Sequence, residues 1–165
     1  MHPPLTLDHA GIAARVPHAG SMCLLHRLLD WSASDIRCEI TNHAVPDHPL
    51  RCADGLLSPV AIEYAGQAMA LHAGLSAPAG STPRAGFLAS ARNVLLHVPR
   101  LDTAAGPLCL HAQRLAGDGQ QALYQFRLFD SAGACLVEGR TTVVLDGVPG
   151  AVAVTATTPQ NPAST

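Results

Sequence analysis

The sequence predicts an α+β domain in which a curved antiparallel sheet of about six strands wraps one central helix. Three observations lead there. The stretch SPVAIEYAGQAMALHAGL, Ser58 to Leu75, is apolar nearly all round and reads as a helix without a solvent face. Segments before and after it alternate apolar and polar residues, the period of half-buried strands. The last strands are joined by turns short enough for hairpins, so they run antiparallel.

Taken in order, residues 1–12 read as an N-terminal loop, and a single domain spans 13–146. VPHAGSMCLLHRLLDW passes from a Pro/Gly-rich lead-in to the apolar run Met22–Leu29, which fits a helical turn or a strand. SDIRCEIT alternates, with Ile36, Cys38 and Ile40 on one face, and reads as a strand. Residues Asn42 to Leu57 are rich in turn formers and polar side chains. Ser58-Pro59 has the form of a helix start, with Ser as N-cap and Pro in the first turn, and the helix is expected over about 59–74.

After the loop SAPAGSTPRAG, the predicted strands are Gly86–His97, with a bulge near Ser90–Asn93, then Leu108–Leu115, Ala122–Phe129 and Ala134–Leu145. AGDGQQ and DSAGA between the last three carry glycine where positive φ is needed. Residues 147–165, rich in Ala, Thr and Pro, read as a disordered tail. One helix covers six strands only if the sheet curls around it, which is the geometry of a hot-dog fold.

Composition narrows the function. Of 165 residues, 48% are hydrophobic and only 13% charged, which favours an oligomer over a lone monomer. A net charge of −2 offers no basic field for nucleic acid. Cys23, Cys38, Cys52, Cys109 and Cys135 are odd in number and lack CxxC spacing, against a disulfide framework or zinc site. MHPPLTLDHAG has no signal-peptide pattern, and no apolar run reaches membrane-spanning length, so a reduced, cytoplasmic protein is expected.

Glu63 and Gln67, at i and i+4, share a face of the apolar helix. Burial there favours the protonated form of a carboxylate, which would make Glu63 an acid. The plainer alternative is a glutamate paired with an arginine or backbone amides at a dimer seam. In the preceding loop, VPDHPLRCADG places His48 ahead of the helix, as an acid–base partner or simply an exposed histidine. Gly55 and the helix start are candidates for N–H groups that polarise a carbonyl.

PHAGSMCLLHRLLDW, ITNHAVPDHPLRCADGLLSPVAIEYAGQAMA and GFLASARNVLLHVPRL together resemble the 3-hydroxyacyl-[acyl-carrier-protein] dehydratases of the FabZ kind, closest to the aryl-polyene-type, ApeP-like branch. The resemblance covers roughly Val16 to Leu145. It implies a hot-dog fold and reversible syn-elimination of water from a 3-hydroxyacyl thioester to a trans-2-enoyl product. No metal or redox cofactor is implied, since the substrate rides on the phosphopantetheine of acyl carrier protein.

By this resemblance Glu63 matches the helix carboxylate, Gln67 the downstream amide, and His48 the loop histidine, or a position one residue from it. The family's His-Phe-Pro-Gly is here His48-Pro49-Leu50-Arg51, without the Phe or Gly. Gly55, Gln67 and Leu88 are the substrate-binding candidates, with Leu88, Val94 and Leu96 lining an acyl tunnel. Arg51, Arg84, Arg92 and Arg100 are candidates for docking the acidic carrier protein. Relatives of this kind are dimers with shared active sites, so a homodimer or a heterodimer with a second hot-dog chain is expected. A hot-dog thioesterase, using Glu63 to activate water, and a non-catalytic or Glu-donating subunit are the alternatives.

Overall fold

The alternation in SDIRCEIT forms one strand of a six-stranded sheet. A computed structural model describes residues 6–78 and 86–145; the expected tail, 147–165, and Arg84 lie outside them. Two helices, α1 (His9–Ala13) and α2 (Ala61–Ser76), accompany six strands. These are β1 (Arg27–Trp31), β2 (Asp35–Ile40), β3 (Gly86–Leu96), β4 (Leu108–Gly117), β5 (Gln121–Phe129) and β6 (Cys135–Leu145). They form one sheet in the order β1-β2-β4-β5-β6-β3, with every neighbour antiparallel.

Ile36, Cys38, Ile40, Leu108, Leu110, Ala112, Tyr124, Phe126 and Leu128 are buried at alternate positions, the face that packs on α2. From α2 come Ala61, Tyr64, Ala65, Ala68, Met69 and Leu71. The helix is not enclosed on every side as expected. Glu63, Gly66, Ala70 and Ala73 are only half-buried and Gly74 is exposed, leaving one stripe of small side chains uncovered by the sheet.

Local chemistry explains the remaining boundaries. The N-terminal segment is structured before residue 12. Asp8 caps α1 by accepting the Gly11 N–H at 2.9 Å, Ile12 plugs the core, and Leu7 bridges to Leu28. Ser58 is not the cap of α2. Its hydroxyl donates to the Val98 carbonyl, and Ser58–Val60 forms a 3-10 turn that feeds directly into the helix. The bulge in β3 falls where it was expected: pairing with β6 slips between Arg92 and Leu95, with Asn93 at φ 51°. The hairpin glycines Gly119 and Gly133 have φ of 88° and 85°. Among the described residues, no helix is long and apolar enough to cross a membrane.

Among the described residues, strand β3 is a free edge. Phe87, Leu88, Leu95 and Leu96 on it are 41%, 48%, 54% and 47% exposed, an unusual density of apolar side chains beside unpaired backbone.

Candidate active site

Along the open stripe of α2 lies a cavity of about 680 Å³. Gly66, Ala70, Ala73 and Gly74 floor it, spaced three and four residues apart so that their missing bulk falls on one line. A Cβ built on Gly66 meets nothing within 4 Å, so the space extends to the helix backbone. Pro17 and His18 wall one side, and the hairpin residues Arg114, Gln121 and Tyr124 another. Leu88 lines the cavity as expected; Val94 and Leu96 do not.

Glu63 sits at the start of this line. It is neither alone nor dry: its side chain is 36% exposed, and two side-chain nitrogens converge on Oε1. The Gln67 amide donates at 3.0 Å, and His18 Nε2 lies 3.1 Å away. Oε2 has no hydrogen-bond partner among the described residues. His18 Nδ1 is buried and has no hydrogen-bond partner among the described residues.

Gln67 is fully engaged. It is completely buried, accepts the Leu24 N–H at 2.9 Å, and donates to the Met22 carbonyl at 2.7 Å as well as to Glu63. It does not line the cavity; it fastens the 22–24 segment to α2 and aims the carboxylate.

His48, the expected partner of Glu63, lies elsewhere. It is buried, and it does not line the cavity. The Leu50 N–H donates to His48 Nδ1 at 3.1 Å, so the ring proton sits on Nε2 and is given to the Tyr64 hydroxyl at 3.0 Å. Tyr64 in turn donates to Asn42 Oδ1 at 2.9 Å. Both ring nitrogens are consumed, leaving no lone pair for proton abstraction. Burial, reinforced by the nearby Arg51 charge, holds the His48 imidazole below the ordinary histidine range. The motif region PHAG contained the better-placed histidine, His18, but nothing in spacing singled it out from nine.

Gly55 is also structural. Its N–H donates to the Cys52 carbonyl at 3.0 Å, its φ is 106°, and a Cβ there would fall 2.5 Å from the Arg100 guanidinium. Its amide is therefore not free to hold a thioester oxygen. Arg100 and Arg51 both pair with Asp102, at 2.6 and 2.9 Å. The Arg100 hydrogen bonds, aided by the Leu56 N–H, hold the Asp102 carboxyl well below the usual carboxylate range. Of the four arginines expected to dock a carrier protein, Arg92 remains exposed and without a carboxylate partner among the described residues.

A sheet curled over one helix, with a carboxylate at the start of a channel along that helix, defines the chain as a hot-dog protein. The sequence model of the ApeP-like family, described as ApeP dehydratase, matches residues 10–148, and the chain belongs to that family. Among solved structures it is similar to the dehydratase heterocomplex ApeI:P from Xenorhabdus doucetiae. That match has a TM-score of 0.70 and 22% identity, over 89% of this chain and 93% of that one. A mutant thioesterase from Staphylococcus aureus aligns at TM-score 0.56 and 10% identity, over 72% of this chain and 90% of that one. A thioesterase from Haemophilus influenzae aligns at 0.54 and 12%, over 76% and 80%. These likenesses show the shared fold. No curated protein matches the sequence.

Proposed function

We propose that the chain dehydrates a 3-hydroxyacyl thioester carried on the phosphopantetheine of an acyl carrier protein, giving the trans-2-enoyl thioester and water. The observation that carries this is the placement of Glu63 at the start of an apolar channel, in a chain of the ApeP-like dehydratase family. The α-proton of a thioester is weakly acidic and the β-hydroxyl leaves poorly, so the reaction needs a group that takes one proton and supplies another. In this reading Glu63 Oε2 takes the α-proton, the Cα electron pair forms the double bond, the C–O bond breaks, and the proton passes to the departing hydroxyl. His18 and Gln67 hold Oε1 throughout. The acyl chain lies along Gly66, Ala70 and Ala73.

The same reading gives the chain a partner. The likeness to the ApeI:P heterocomplex and the exposed apolar edge of β3 support pairing with a second hot-dog chain through that strand. Such a chain would complete the site with the carbonyl-polarising N–H donors that Gly55 does not supply.

Hydration of a crotonyl thioester, followed by loss of enoyl absorbance with the chain alone and with its partner, tests the proposal. Activity should vanish in Glu63→Gln and survive in folded His48→Gln. Release of free thiol instead of hydration would make the chain a thioesterase and overturn it.

A further inference from the structure

The outer face of the sheet carries two rows of side chains running strand to strand. In the first, pairing aligns Asp30 with Arg37, Arg37 with His111, His111 with Arg127, and Arg127 with Glu138. Charge is balanced along it: Arg37 lies 3.4 Å from Asp30, and Arg127 3.4 Å from Glu138. The second row runs Asp35, Gln113, Gln125, Arg140 and Arg92. It ends at the free edge with two arginines directly opposite each other. Both are exposed, and neither has a carboxylate partner among the described residues. Glu138, two residues from Arg140 on the same face, is already held by His97 Nε2 at 3.1 Å and by Arg127. Like charges facing across a ladder destabilise it, so the one unbalanced place in these rows lies at the strand whose outer side is unpaired among the described residues.

We propose that Arg92 and Arg140 choose what pairs with β3: they admit a hot-dog chain whose edge strand presents Asp or Glu opposite them, and they reject a second copy of this chain. The inference rests on the β3 pairing proposed above. Ala91 is the middle of β3. Antiparallel self-pairing over the whole strand sets Ala91 against Ala91 of a second copy and Arg92 against Ser90. The two Arg92 side chains then meet on the diagonal, roughly 7–8 Å apart. Each is flanked by its own Arg140, so four guanidinium groups share one row. Phe87 and Leu95 on the outer face, and Leu88 and Leu96 on the inner, supply adhesion to any partner; the arginines supply the selection.

Sedimentation equilibrium on the purified chain tests this. Wild-type self-association should be weak in low salt and tighten at least about tenfold in high salt, as screening removes the repulsion. The R92E/R140E double variant should also self-associate weakly, yet pair with the wild-type chain at least about tenfold more tightly than either pairs with itself. A tight wild-type dimer indifferent to salt and to the charge swap would overturn the selection while leaving β3 pairing intact. A charge swap that changes affinity for an acidic carrier protein, but not chain-to-chain association, would overturn it too. Association unaffected by Leu95→Lys would instead overturn the β3 pairing itself.

Discussion

His18 Nε2 lies 3.1 Å from Glu63 Oε1, a contact that joins the N-terminal segment to the start of the central helix. The pair has a consequence for mutants. Glu63→Gln keeps the shape of the side chain but removes the proton-exchanging carboxylate, so turnover should fall by roughly 10³-fold. His18→Asn removes one of the two groups that hold Oε1 and should cost less, on the order of tenfold, mainly in kcat. Steady-state kinetics on the enoyl thioester measures both; equal losses would give His18 a direct role in proton transfer.

Tyr64→Phe should lower stability without touching the cavity. The hydroxyl links buried His48 to Asn42, and its loss leaves both without that partner, a cost of about 1–3 kcal/mol. Urea unfolding measures it, and an unchanged midpoint would remove the chain of hydrogen bonds from any structural role.

Acid should weaken the fold through two buried histidines. Burial holds the His48 and His72 imidazoles below their ordinary value. The folded state therefore binds fewer protons than the unfolded chain once pH falls below about 6.5. Their contribution is complete above that pH and is lost as pH drops beneath it. For His48 the cause is geometric as well: a protonated ring would point an Nδ1–H at the Leu50 N–H. The melting temperature should be flat near neutrality and fall as pH is lowered below about 6.5; a flat profile down to pH 5 would contradict this.

Gly66 separates channel from core. Gly66→Ala should be tolerated and can stabilise α2 by up to about 1 kcal/mol, since nothing meets the added Cβ. Gly66→Leu should leave the melting temperature near wild type while raising KM for longer acyl thioesters. If the larger side chain leaves turnover of long chains untouched, the acyl chain does not follow this groove.

Gly55→Ala should destabilise by about 1–3 kcal/mol, because the left-handed backbone there excludes a side chain and Arg100 occupies the space. Differential unfolding of the variant and of Gly55→Ala/Arg100→Ala separates the two causes: relief in the double variant would assign the cost to the arginine.

Much of this was legible in the residues. Period-two alternation located β2, Gly119 and Gly133 marked the hairpins, and the all-round apolarity of Ala61–Ser76 gave the helix its place inside the sheet. The spacing of Glu63 and Gln67 correctly put them in contact. What local pattern does not carry is which distant group completes a site. His18 and His48 lie far along the chain from each other, and only the packing of the N-terminal segment brings one of them to Glu63. Ser58 has the local form of a helix cap, yet a carbonyl from the strap after β3 claims its hydroxyl. Gly55 offers an amide by sequence, but a tight turn uses it on the Cys52 carbonyl.

The stripe of Gly66, Ala70, Ala73 and Gly74 makes the helix a ruler. Because the channel floor is set by small side chains on the half-buried stripe of the helix, a methyl group added at Gly66 narrows the bore without meeting the hydrophobic core. Under the proposed function, chain-length selection and folding stability would be written on opposite sides of one helix, so that each could drift while the other stays fixed.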